Sequence, residues 1–558
     1  MSYIYILILY KHSKNCIMRV GIKMIKNLVR KGLVVAIVII LIGINTYSAG
    51  KIEMKAESMS HFIKESLLSD DVPEVEWIKQ LGGENTEIGI KSKQTSEGGF
   101  ILVGGYSSYY SFPQSLLLHQ LNKDISAQTL LMKNDVDGDE EWSKIFGGPP
   151  QSYNLCPSIE VDSDGGYVLA GETNYFTQSP PWSDVWMVKT NAIGDHLWNK
   201  TFGGPRDDFG HSMKKTSDDG FIITGGCYDI NAETYKVLLL KIDAYGNEQW
   251  SRMFGSSSYF QFGFDVDTTD DGGYVIIGGR TSFRGESIVL IKTDSLGQQE
   301  WDKTYQPGEE SYGLCVKQTT DGGYIIAGNI ISGRNKDQFQ SEEAFLIKTD
   351  ASGNSQWSRS YPGALIIEYL GDSVIQTLDG GFLLAGCKWI DYTEMCDGWC
   401  VRTYADGNTK WEKNIDYQTI DFFASVLKTE DGGYLLTGGT SPSFYSPFDV
   451  LLVKLESEDE PPDLEIDITG GLGVNAVITN NGSADAADVN WELHVDGGIF
   501  GMINKNVNGT IDIIPTGKSK TVGTGLFLGF GGIQINAKVL ETEKIVVGTQ
   551  LIFFTIIN

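Results

Sequence analysis

The side chains of this chain that could do chemistry are its tryptophans, acidic turns, histidines and cysteines, and their spacing sorts them. Trp142, Trp198, Trp250, Trp301, Trp357 and Trp411 each follow a glycine by four positions and a Lys or Arg by nine, as in KIDAYGNEQW. Indoles could stack on sugar rings, but an unvarying place after a turn fits the docking of one repeat on the next. Trp182 and Trp389 fall outside that register, in loops. With Tyr175, Phe176 and Tyr445, in the aromatic stretches NYFTQSPPW and SPSFYSPF, they are the expected ligand contacts.

The remaining candidates point to no reaction. His12, His61, His119, His196, His211 and His494 form no pair with metal-ligand spacing, and His196 and His211 are expected on solvated surface. The turns DVDGDEE (Asp135 to Glu141) and DSDGG (Asp162 to Gly166) superficially resemble calcium loops. They lack a full ligand set, and the first already fits the register of the other turns. No cofactor or metal is therefore expected, calcium being the one ion these acids would suit. No Gly-x-Ser-x-Gly or Cys/His nucleophile pattern occurs. Cys156 and Cys315, like Cys227 and Cys387, occupy matching places in non-adjacent repeats and cannot bridge each other. Cys387 and Cys396 share one repeat and are the candidate disulfide, with buried free thiols as the alternative.

The elements that position these residues follow from self-similarity. A glycine turn leading into an aromatic recurs at Phe100, Tyr167, Phe221, Tyr274, Tyr324, Phe382 and Tyr434, and a short apolar run follows each. Such a turn joins two strands into a hairpin, and the Lys-x-Asp-x-x-Gly-x-x-x-Trp segment makes a second hairpin. Each repeat thus supplies four strands, one propeller blade. The first copy is the longest, with an insertion expected around Lys123 to Thr129. The last strand, ending at Lys454, lacks its Gly and Trp, while Trp77 stands alone at the start. The orphan strand around Trp77 is therefore expected to complete the last blade beside Val450 to Lys454, removing an open edge.

The array resembles the secreted prokaryotic propellers built on DGGY-x-x-x-G repeats, within the broad Trp-containing propeller superfamily. Departures are Asp219 at a turn glycine, Asn191 and Tyr404 at the turn aspartate, and a missing glycine after Gly255. The resemblance implies architecture, since such repeats occur in proteins of unrelated roles. The Asp-box of sialidases has a shorter spacing, and neither an arginine cluster nor a quinoprotein Cys-Cys pair is present. Beyond an acidic, proline-bearing linker over 457–463, alternating runs with Asn-Gly and Gly-Gly turns suggest an immunoglobulin-like sandwich. The segments TNNGSADAADV and IIPTGKSKTV are similar to CARDB-type adhesion modules.

The expected fold is all-β: a seven-bladed β-propeller over 72–456, ring closed by the N-terminal strand, plus a C-terminal immunoglobulin-like β-sandwich over 464–558. Ahead of them, Lys23, Lys26, Arg30 and Lys31 precede the apolar run Gly32 to Ile44. Residues 1–50 read as a signal peptide or an uncleaved N-terminal anchor, 51–71 as linker, with Met1, Met18 and Met24 as alternative starts. The formal net charge of −28 excludes nucleic acid as a partner. The reading is a non-enzymatic extracellular or cell-surface binding scaffold, contacting a protein or glycan and meeting a membrane only through its N-terminal segment. The alternative is a secreted polysaccharide hydrolase or lyase with its site in the propeller funnel. Acids, arginines or histidines converging there would favour the alternative.

Overall fold

The structure is a computed structural model. It describes residues 72–107, 127–149, 152–177, 182–282, 285–332, 341–367, 371–389, 395–443, 446–458, 464–481, 486–515, 517–539, 542–552 and 554–557. The targeting segment, the 51–71 linker, Tyr445 and residues 459–463 lie outside them. Every described element belongs to the unit Asp71–Asn558. Among the described residues no helix is long and apolar enough to cross a membrane.

The chain is all-β and consists largely of β-propeller-like, repeated four-stranded sheets. Five such sheets follow in sequence, with first strands Thr86–Gln94, Asn154–Val161, Asp208–Lys215, Phe260–Thr268 and Glu310–Gln318. A nine-stranded sheet follows. Its halves, from Ala364–Leu365 to Thr409–Ile415 and from Ile420–Lys428 onward, are joined by the single parallel pair Cys396↔Ile420. The second half takes its outermost strand from Val75–Leu81, which pairs antiparallel with Asp449–Leu455 and sets Trp77 opposite Lys454. That is the pairing expected from the orphan Trp77. Gln128 and Thr129, expected within an insertion, begin a strand that ends at Asn134; residues 108–126 lie outside the described residues.

Each repeat closes its inner hairpin with a tight turn. Gly272 takes φ 81° in the fourth sheet, and Asp219 takes φ 61° at the matching place in the third. An aspartate tolerates this region better than other side chains do, which explains that departure from the glycine pattern.

The motif tryptophans dock neighbouring sheets. A Cβ on Gly297 would meet the Trp250 ring at 2.5 Å, and one on Gly353 would meet Trp301 at 2.7 Å. The same rings pack against the turn aromatic of the next sheet, Trp250 on Tyr274 at 6.1 Å and Trp301 on Tyr324 at 5.9 Å between centroids. The indoles are therefore mortar between sheets, as their spacing suggested.

At the C-terminus a three-stranded sheet (Leu464–Thr469, Asn475–Asn480, Ser519–Gly523) and a six-stranded sheet share one core. Leu464, Ile466 and Ile468 alternate inward from the first, and Leu493, Val495, Ile533 and Ile535 face them from the second. Glu458, expected in a linker, is instead held by Arg402, Lys410 and the Tyr434 hydroxyl. These groups stand where a seventh Gly-Trp turn is missing.

Candidate functional site

Two kinds of charge cluster emerge, and the first repeats with the sheets. Lys348 donates to both oxygens of Asp321, at 3.0 and 2.9 Å, and to the Thr349 carbonyl at 2.8 Å. Asp321 in turn accepts the Thr319 hydroxyl and the Gly323 amide. The same unit recurs as Lys241–Asp218, Lys292–Asp271, Arg402–Asp379 and Lys454–Asp431. Each of these cations is buried beside a half-exposed carboxylate and anchors the acidic glycine turn of its own sheet. Burial opposes the charge on Asp321, yet Lys348, Thr319 and Gly323 outweigh it and bring its pKa down to about 2.

Of the two calcium-like turns, DSDGG belongs to this scheme and DVDGDEE closes the other hairpin. Asp162 and Asp164 both accept from Lys189, at 2.5 and 2.7 Å. Asp135 Oδ1 accepts the Asp139 amide at 2.8 Å, and Lys79 reaches Asp139 at 2.6 Å.

The second cluster occurs once and is built from many sheets. In six of the first strands the register slips, between Gly89 and Lys91, Leu155 and Ser158, Gly210 and Ser212, Gly263 and Asp265, Gly313 and Cys315, and Phe423 and Ser425. Each slip is a β-bulge that re-aims the next side chain at the neighbouring sheet. Lys91 meets Ser158 at 3.4 Å, the Ser158 hydroxyl donates to the Met213 carbonyl, and the Ser212 hydroxyl donates to Asp265 Oδ1 at 2.6 Å. Asp265 Oδ2 accepts the Val316 amide at 3.0 Å and Lys317 at 2.8 Å.

The sixth repeat has no such bulge. Its first strand is split into Ala364–Leu365 and Val374–Gln376. Gly371 passes between two other first strands with φ 69°, where a Cβ would lie 2.3 Å from the Ile90 carbonyl and 2.6 Å from that of Ala424. Only glycine fits there. The passage delivers Asp372 to three ammonium groups: Lys317 at 2.7 Å, Lys91 at 3.1 Å and Lys214 at 3.2 Å.

The electrostatics follow from burial and pairing. Burial opposes ionisation of Asp372, but Lys214, Lys317 and Lys91 overcome it and hold the carboxyl well below the usual range. Lys91, 2% exposed, has its pKa pushed down to about 8 by burial, which Asp372 only partly offsets. Asp265, Asp372 and Cys315 place possible ligand atoms within 4.8 Å of one another. Lys317 touches both carboxylates, however, and burial pushes the Cys315 thiol up to about 12. The cation that both carboxylates hold in this structure is the Lys317 ammonium.

The expected contact residues are not gathered into one site. Tyr175 and Phe176 stack edge to face at 4.9 Å, and Phe176 lies flat on the buried Trp186 at 5.4 Å. Trp182 covers the Arg206 guanidinium at 4.6 Å, and Arg206 also reaches Tyr228 at 5.5 Å. Trp389, 40% exposed, is on a different sheet. Sequence reasoning missed what adjoins Trp182 and Arg206: Tyr235, Phe209 and Phe262 pack as mutually tilted rings, and Arg280 lies 3.8 Å from the Tyr259 ring centroid. His211, expected on solvated surface, is instead in a strand, bonded to the Gly263 carbonyl at 2.8 Å and stacked on Phe264. His196 is exposed, at the start of strand His196–Phe202.

The six described cysteines are buried free thiols. Cys387 and Cys396 are on paired strands, opposite Gly398 and Trp389 respectively, so they are diagonal rather than facing. Their side chains nevertheless meet: contact with the Cys396 thiol, together with burial, pushes the Cys387 thiol well above its usual range.

No family model matches the chain, and no curated protein matches it. Among solved structures it is similar to a protein of unknown function from Dyadobacter fermentans, at 9% identity and TM-score 0.40, over 69% of this chain and 99% of that one. It is also similar to a puromycin hydrolase, at 8% identity and TM-score 0.40, over 70% of this chain and 58% of that one. An acylaminoacyl peptidase from Pyrococcus horikoshii gives 10% identity and TM-score 0.34, over 70% of this chain and 57% of that one.

Proposed function

We propose that the chain is a seven-bladed β-propeller, closed by its N-terminal strand and followed by an immunoglobulin-like sandwich, and that it serves as a non-enzymatic binding scaffold outside the cell or on its surface. The nine-stranded sheet counts as two blades joined by one bridge. In support of closure, the first strands touch in succession, and Ile420–Lys428 touches Thr86–Gln94.

One observation carries the non-enzymatic reading. Charged groups do converge where the first strands meet, which on sequence grounds would favour an enzyme, but they are spent on one another. Asp372 pairs with three lysines, and Asp265 accepts a hydroxyl, an amide and an ammonium. A general acid or base needs a proton site open to substrate. The contact surface is instead assigned to the aromatic and arginine side chains around Trp182, Arg206 and Tyr228, which suit a protein or glycan partner.

Glycan-array binding and polysaccharide depolymerisation by the full chain test this reading. Binding that Trp182→Ala abolishes, without depolymerisation, is the expected result. Depolymerisation that Asp372→Asn abolishes would sink it.

A further inference from the structure

We infer that one end of the C-terminal pair of sheets inserts into the uncharged outer region of a lipid bilayer, a contact separate from both the N-terminal segment and the propeller-like sheets. Strand register lines up Leu472, Phe554, Leu551 and Phe530 as directly opposed neighbours across four strands. All four are exposed. Cross-strand neighbours on one face normally bury such side chains or replace them with polar ones.

Two turns extend the row. Gly531 packs on the Ile499 backbone, which joins the turn Ile499–Gly501 to Phe530. At its tip Phe500 is 95% exposed and Met502 81%. Phe500 takes φ 61°, a left-handed conformation that a bulky residue rarely adopts and that nothing buried repays here. Gly473 abuts Gly525, bringing the turn with Leu526 and Leu528, both exposed, to the same end. Singly exposed apolar residues are ordinary, but a contiguous set from four strands and two turns marks an interaction surface.

Charge and composition select the occupant. On a chain of net charge −28, residues 468–484, 497–503, 521–537 and 545–558 contain no ionisable side chain. Residues 464–558 contain neither Arg nor Tyr. Protein interfaces concentrate their binding energy in Trp, Tyr and Arg and surround the apolar centre with a polar rim. Here Phe, Leu, Ile and Met stand alone. Anionic headgroups would need a basic patch, which is missing from these segments, whereas uncharged headgroups and acyl chains need only apolar area.

Hydrogen–deuterium exchange of the full chain with phosphatidylcholine vesicles tests this locally, so lipid binding by the N-terminal segment does not confuse the result. Residues 498–502 and 524–530 should exchange about tenfold more slowly on vesicles, equally at low and high salt. The double variant Phe500→Asp, Leu528→Asp should lose that protection while Leu493 and Ile535, in the core, stay protected. Absence of local protection would overturn the inference. So would protection that appears without vesicles as protein concentration rises, which would assign the surface to a second copy.

Discussion

The turn ion pairs and the cluster around Asp372 use the same chemistry, lysine on aspartate, under opposite constraints. Each turn pair is local: Lys348 and Asp321 belong to one sheet, the lysine buried and the carboxylate half exposed to water. The Asp372 cluster draws its lysines from three sheets and leaves both signs of charge largely buried. A local pair can be copied with the repeat. A shared one requires that one repeat differ from the others, and the sixth does, through its split strand and Gly371.

Stability measurements on variants break or sharpen the comparison. Asp372→Leu leaves three ammonium groups without their shared carboxylate and should cost about 3–5 kcal/mol in urea unfolding. A cost below about 1 kcal/mol would mean that the cluster does not hold the sheets together. Trp250→Ala empties a joint between two sheets and should cost about 3 kcal/mol, with no effect on lysine titration.

Asp208 shows what a buried carboxylate does when its neighbours are acids. Burial, with Asp184 and Asp207 nearby, pushes its pKa up to about 6, although the Gly204 and Tyr228 amides resist. The folded state then binds the proton more tightly than the unfolded chain, so stability should rise as pH falls from about 6 to about 4. Asp208→Asn should therefore be more stable than wild type at pH 7, by at most roughly 3 kcal/mol, with the gap closing near pH 4. A gap independent of pH would rule out this account. Asp372 should do the reverse, its stabilisation being present above about pH 4 and lost as pH falls towards its depressed pKa.

The smallest expected effect is Asp321→Ala, about 1 kcal/mol, because Lys348 keeps the Thr349 carbonyl and Gln356. Paired with Asp271→Ala in the next sheet it should be additive. Asp265→Asn with Asp372→Asn should not be, since both acids hold Lys317.

Much of the fold was legible in the chain, because a repeat that meets only its neighbours writes its contacts at fixed spacing. The Trp-on-glycine joints, the hairpin turns and the pairing of Trp77 with Lys454 all follow from that periodicity. The acids of DVDGDEE were read as a turn on the same ground, and Asp135 accepts the Asp139 amide within one. What misled was reading one residue against its own neighbours. His211 looked like a surface histidine because the bulge that turns it onto Phe264 is invisible in HSMKKT. Cys387 and Cys396 do come together, on a diagonal of paired strands with their thiols in contact, and they stand as free thiols, the alternative the sequence left open.

By itself, then, the sequence determined the repeating sheets, the turn lysines, the motif tryptophans and the missing last strand. Each is a short-range requirement, and the motif cation finds its turn carboxylate within the same sheet. Only the tertiary structure decided where the first strands' charges go. Lys91, Lys214, Lys317 and Asp372 are far apart in the chain, and nothing in their flanking residues distinguishes them from solvated surface. Their pairing comes from bulges and one threaded glycine that bring separate sheets together, where low dielectric makes partnership obligatory.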